Sequence, residues 1–372
     1  MPLAHTPLLP GAATPWERMM AEARDPLARL AADYDGIRAA TQVPPPPFLP
    51  YIIWQKGLGE LSPYLPNLYD LIAEGTKWQR ERGTPASIAR GLGWLGYAGT
   101  LDEAPWWRRL WNRYQIHLDR VRDADMPDLA RIAGIVQLSD PERSRFKRAY
   151  HGYDVRSCET SRQRTGESMT SDNSGVRIEG VSPLWSFGRL YEREHQLSEA
   201  ELTALGTWIA PVPEGELWVD ADYFWVDADF AWHTPAAQAR RDAIAAAITA
   251  MPVWLRFRAA DDSIIGHARG VSHPVATAGS EGEYPFGPGR LGVSDAPTGV
   301  LVQATSGFGD GAGAVAASAS LLFDAVPADP ARPGALWLAA EGLTGGVEVC
   351  NVPMAITFGL TVRERARILL RF

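Results

Sequence analysis

The residues of this chain with the strongest claim to chemistry lie in a doubled pentapeptide. Trp-Val-Asp-Ala-Asp occurs at 218–222 and again at 225–229. Two carboxylates two residues apart can hold a divalent cation, because hard oxygen ligands suit calcium or magnesium. On a strand, Asp220 and Asp222 share one face, and the seven-residue offset turns Asp227 and Asp229 to the other. The pairs then point apart, so the spacing favours a solvated polar face with tryptophans packed inward or against a partner, and no metal site is assigned. His267 and His273 are six residues apart and would share a strand face, but no third histidine and no spaced acid stands beside them. A loop or interface histidine is the plainer reading. The glycines of 307–314, GFGDGAGA, resemble a phosphate loop but lack the Gly-Lys-Ser/Thr ending that would reach phosphates and magnesium. They read as a loop between strands.

No G-x-S-x-G, H-E-x-x-H or C-x-x-C occurs. Ser157, Ser161, Ser168 and Ser171 sit in a polar stretch without a plausible base, and no carboxylate pair stands out among the 44 acids. The chain is read as not an enzyme and as needing no cofactor. Its two cysteines, Cys158 and Cys350, exclude a disulfide framework and a cysteine-rich metal site, although one bridge between them stays open.

The elements that would position such residues belong to a sizeable globular chain. Its 372 residues are enough for two or three domains, and 46% apolar with 22% charged can bury a core. A net charge of −8 argues against a nucleic-acid partner held by phosphate contacts. Fourteen tryptophans suit interfaces, where aromatic side chains bury much area at low entropy cost, and also suit sugar binding. The N-terminal stretch lacks the basic start and apolar core of a secretory signal. No run of 18 apolar residues exists, so no membrane span is expected.

Periodicity divides the chain. Residues 1–14 read as an arm, and a helix is expected from Pro15 to about Tyr34 with Met19, Ala23, Leu27 and Leu30 on one face. Pro44–Pro47 predict a stiff extended spacer. Helices are expected around 49–80, the last from about Pro66 to Arg80. A further one is expected from Thr84 to Gly96, with Thr84 as cap, Pro85 at the first position, Ile88, Leu92 and Leu95 on one face and Gly96 as the stop. Alternation at Tyr114, Ile116 and Leu118 predicts a half-buried strand. Residues 124–150 predict a helix and then a second, basic helix capped by Asp140. The polar stretch 159–180 reads as a linker or long loop. Beyond it strands dominate, at 254–258, 264–269, 300–304, 335–339 and 367–372. Two helices interrupt them, at 198–208, where Ser198 and Glu201 make a capping box, and at 235–251. The fold class is α+β. The divisions are 1–48 for arm, helix and spacer; 49–158 for a helical αβ domain; 159–180 for the linker; and 181–372 for a strand-rich mixed domain.

The stretch 49–99 resembles the phage tail protein I family, the wedge proteins of contractile-tail baseplates. The resemblance rests on Leu49-Pro50 followed by Trp54, a basic helix with Lys77, Arg80 and Arg82 leading into Gly83-Thr84, a helix with Ile88 and Arg90, and Leu95-Gly96-Tyr97. Trp106, Trp107 and the strand at 114–118 continue the pattern. The resemblance implies a structural protein of the tail baseplate or tail tip, present in several copies, bundled by helices with neighbouring wedge chains and attached to a tail fibre. It implies location in the virion after synthesis in the host cytoplasm. The interface residues expected on this reading are Trp54, Trp78, Ile88, Leu92, Leu95, Trp106 and Trp107. A rival reading gives the C-terminal half a host carbohydrate to bind or cleave, with Trp218, Trp225 and Trp232 stacking on sugar rings and the paired aspartates bonding hydroxyls.

Overall fold

The structure is a computed structural model that describes residues 9–23, 27–42, 44–103, 111–152, 174–211, 235–331 and 334–372. The chain forms two compact units, Met1–Arg82 and Gly83–Phe372.

The first unit is helical. Its helices are α1 (Pro15–Ala23), α2 (Leu27–Gln42), α3 (Leu49–Gln55) and α4 (Leu68–Glu81). Thr14 and Glu17 bond reciprocally at the start of α1, the Thr14 N–H donating to Glu17 Oε2 at 2.7 Å and the Glu17 N–H to Thr14 Oγ1 at 3.3 Å. Asn67 caps α4, its Oδ1 accepting from the Tyr69 N–H at 3.0 Å. The helix expected over 15–34 corresponds to α1 and the first part of α2, and residues 24–26 between them lie outside the described residues. The proline run is extended at Pro45 (φ −61°, ψ 147°) and then closes into a 3-10 turn over Pro46–Phe48, so it leads into α3 rather than forming a long spacer. Leu49, Ile53, Leu58, Leu61, Leu71 and Trp78 are buried. Gly75 of α4 lies so close to Leu58 that an added Cβ would stand 2.9 Å from its Cδ2.

The second unit opens with α5 (Pro85–Trp94). The hydroxyl cap expected from Thr84 is not made; Ser87 Oγ donates to the Thr84 carbonyl instead, at 2.8 Å. Gly96 ends the helix at φ +75°, with its N–H bonded to the Gly93 carbonyl at 3.1 Å and the Tyr97 N–H to Leu92 at 3.0 Å. That paired closure uses the left-handed residue that glycine adopts without steric cost. The buried face of α5 packs on α6 (Asp128–Ser139). Gly91 permits the approach, since a Cβ there would meet Ile135 Cγ1 at 2.6 Å.

Strands follow: β1 (Gly99–Glu103), β2 (Arg113–Leu118), β3 (Arg145–His151), β4 (Val176–Ile178) and β5 (Val181–Gln196). Next come α7 (Glu199–Ala204) and α8 (Pro235–Ala250), then β6 (Val253–Arg258), β7 (Ile264–Ala278), β8 (Tyr284–Phe286) and β9 (Gly289–Val293). The chain ends with β10 (Gly299–Thr305), β11 (Val315–Phe323), β12 (Val326–Pro327), β13 (Trp337–Ala339), β14 (Leu343–Thr344), β15 (Val347–Thr357) and β16 (Val362–Arg371). Ser198 and Glu201 make the capping box at α7 that the sequence predicts.

The basic helix expected near 141–150 is β3. Asp140, read as its cap, ends α6 instead: its N–H bonds to the Val136 carbonyl at 2.9 Å and its carboxylate accepts from the Tyr114 hydroxyl. Burial raises the Asp140 carboxyl to about 6, although the Tyr114 bond works the other way. Pairing with β2 and β5 overrides the local helical signal, and it buries Arg148 completely among Gln115, Ser174 and Ser186.

One sheet runs β1-β2-β3-β5-β16-β10-β7-β6-β11-β15, with β4, β8, β9 and β13 attached. β2, β3, β5 and β16 are mutually parallel, and the rest of the path is antiparallel. Strands from before and after the 159–180 stretch meet in this sheet, β3 pairing with β5, and β4 lies at the end of that stretch. From β5 onward it curls around one core that includes Leu202, Ile248, Phe257, Val302, Phe323, Phe358 and Ile368. The fold is α+β, with strands dominating the second half.

Candidate docking surface

The interface residues expected from the sequence fall into three groups. Ile88 and Leu92 are buried, covered by the chain's own α5–α6 packing, and Leu95 is half-buried beside them. Trp78 is buried in the first unit with the Arg82 guanidinium 5.3 Å from its ring centre. Trp54 is the opposite case, 83% exposed on α3. Trp106 and Trp107 lie outside the described residues, as do Trp218, Trp225, Trp232, the four paired aspartates and Cys158. Cys350 is a buried free thiol, and burial pushes it up to about 12.

Trp54 is not isolated. Tyr51 precedes it by three residues on the same side of α3, Phe48 closes the 3-10 turn just before the helix, and both are exposed. A second apolar surface lies N-terminal to this one, where the sequence predicts a face of Met19, Ala23, Leu27 and Leu30. Trp16, Met19, Leu30, Tyr34 and Ile37 are all exposed, with Trp16 at 65% and Tyr34 at 63%. Within α2, Leu30, Tyr34 and Ile37 are spaced by four and three and share one face of the helix. A face of this kind is one that can pack against another helix. Exposed apolar stripes of this kind mark interaction sites in soluble proteins.

The remaining candidates are structural. His267 is fully buried on β7; its Nε2 accepts from Arg256 Nε–H at 3.1 Å and its Nδ1–H donates to the Ala339 carbonyl at 3.2 Å. His273, on the same strand, stacks on Tyr284 with ring centres 5.3 Å apart. The glycines of 307–314 form the loop between β10 and β11, closed by the Gly307 N–H on Asp310 Oδ2 at 2.5 Å. Among the described residues no group of three His, Cys, Asp or Glu is placed to hold a metal ion.

Burial holds His267 below the ordinary histidine value. The folded state thus binds this proton less readily than the unfolded chain, so the neutral ring contributes full stability above about pH 6.5 and loses it as pH falls below that. Denaturation midpoints followed from pH 7.5 to 5 should fall more steeply for the wild type than for His267→Gln, which has no proton to gain.

The helices carrying the exposed stripes, the α5–α6 pair and the strands β1 and β2 all fall within one stretch. Residues 9–143 match the phage tail protein family Tail_P2_I. The phage tail segment thus contains both exposed apolar surfaces, and the match supports a structural role in a phage tail, contact with other tail components and a place in the virion tail. β3 and everything after it lie outside the match. No curated protein and no solved structure matches the chain. Among the described residues no helix is long and apolar enough to cross a membrane.

Proposed function

We propose that this chain is a component of a phage tail baseplate wedge or tail tip, with its front helices docked on neighbouring tail proteins and its C-terminal sheet providing the attachment for a tail fibre or a peripheral subunit. The observation that carries the reading is the pair of exposed apolar surfaces inside the phage tail segment, the α1–α2 stripe and the Phe48–Tyr51–Trp54 ridge. The Leu30–Tyr34–Ile37 face of α2 suits a partner helix, and the aromatic ridge supplies the large rigid anchors typical of interface hot spots. Several copies per particle and no catalytic role accompany this reading.

The test is incorporation into particles. Tyr51→Ala with Trp54→Ala removes two side chains that the isolated chain leaves in water, so folding should be unaffected. Incorporation into tails, scored by immunoblot of purified particles, should drop by at least about a hundredfold, because the burial of two such side chains is worth about 4 kcal/mol. Wild-type incorporation of the double variant would remove the ridge from the docking role.

A further inference from the structure

The curled sheet closes on itself in an unusual way. β15 is the last strand of the path and pairs with β11 on one side. On its other side it faces the C-terminal half of β5, yet no ladder joins the two. Charged side chains bond its outer backbone instead, at nearly regular intervals. Glu201 Oε1 accepts the Cys350 N–H at 2.9 Å. Arg193 Nε–H donates to the Pro353 carbonyl at 3.2 Å. The Arg189 guanidinium donates to the Thr357 carbonyl and is itself held by Glu364, with Nη2 to Oε1 at 2.5 Å. Asp125 takes the Leu360 N–H at 2.9 Å and the Thr361 hydroxyl at 2.6 Å, while Arg122 pairs with it at 2.6 Å. Gly359 completes the fit, since a Cβ there would stand 2.2 Å from Arg122 Nη2.

Two features set this edge apart from the ladders around it. Pro353 has no N–H, so the outer edge of β15 could not make a full ladder with β5. The residues that bond it also come from three places: α7 gives Glu201, β5 gives Arg189 and Arg193, and the stretch before α6 gives Arg122 and Asp125. Arg122 and Asp125 lie inside the phage tail segment. That segment therefore grips the turn between β15 and β16 directly.

We propose that the β5–β15 seam is the opening edge of the C-terminal sheet. β15 and β11 move off β5 together, the β16–β5 and β16–β10 ladders stay intact, and the Asp125 grip on the β15–β16 turn sets how readily this happens. The seam lets the curled sheet widen without breaking a ladder. Glu201, Asp125 and Arg189 each keep part of their side-chain surface in water, so their bonds to this edge weaken with ionic strength, whereas ladder bonds inside the sheet do not.

Hydrogen exchange of the full chain, read at single-residue resolution, tests this. The Cys350 and Leu360 amides should exchange at least about tenfold faster at 1 M than at 0.05 M sodium chloride, while amides of the β16–β5 and β16–β10 ladders keep their rates. Asp125→Asn should speed Leu360 at low salt, and Arg193→Met should speed Cys350, again with those ladders unchanged. Equal rates at both salt concentrations, or acceleration of Cys350 and Leu360 only in step with the β16 ladders, would overturn the proposal. The salt series on the wild type decides the matter even if a variant does not fold.

Discussion

Leu30→Asp combined with Tyr34→Asp will leave the isolated chain as stable as the wild type and will exclude it from assembled tails. Both side chains are exposed on α2, so neither charge needs to be buried when the chain folds alone. In a docked helix pair the two positions sit in the seam, where a carboxylate meets apolar neighbours and has no counter-charge. Losing the burial of two such side chains costs about 4 kcal/mol, or roughly a thousandfold in affinity, before any penalty for the introduced charges. Thermal midpoints compared with the amount of the chain in purified particles measure the two effects separately. A charge-reversing change in the partner helix that restored incorporation would identify that helix.

Leu92→Ala will do the reverse. Leu92 has no exposed surface and lies on the face of α5 that packs against α6. Truncation leaves a cavity that the helix pair cannot readily close, because Gly91 already holds the two backbones at contact distance from Ile135. The expected loss is about 2–5 kcal/mol of unfolding free energy, seen as a lower denaturant midpoint with an unchanged slope. Any fall in incorporation should then follow the fraction of unfolded chain. The contrast between the two substitutions separates apolar faces the chain covers itself from those it leaves for others.

That distinction was only half legible in the sequence. The helix at Pro85–Trp94 and its glycine stop were readable because proline, periodicity and a left-handed glycine all agree locally. What covers the Ile88–Leu92 face was not readable, since α6 lies some forty residues on and nothing local announces the contact. The exposure of Trp16, Tyr34 and Ile37 was not legible, because a periodic apolar face reads the same whether the chain covers it or leaves it to a partner. Five C-terminal strands, β6, β7, β10, β13 and β16, were legible from their apolar runs between glycine- and proline-rich connections, whereas the long strands β5, β11 and β15 were not. β3 was missed because Asp140-Pro141 imitates a helix start, and its strand state depends on β2 and β5 lying on either side. The charged seam of β15 could not have been found at all, because its partners are separated by as many as 236 residues.

The account rests on the front helices being wet in the free chain and covered in the particle. Hydroxyl-radical footprinting of Trp16, Tyr34, Tyr51 and Trp54, in the purified chain and in intact tails, tests this directly. All four should be oxidised readily in the free chain and strongly protected in the tail. Equal oxidation of these side chains in both states would contradict the docking role.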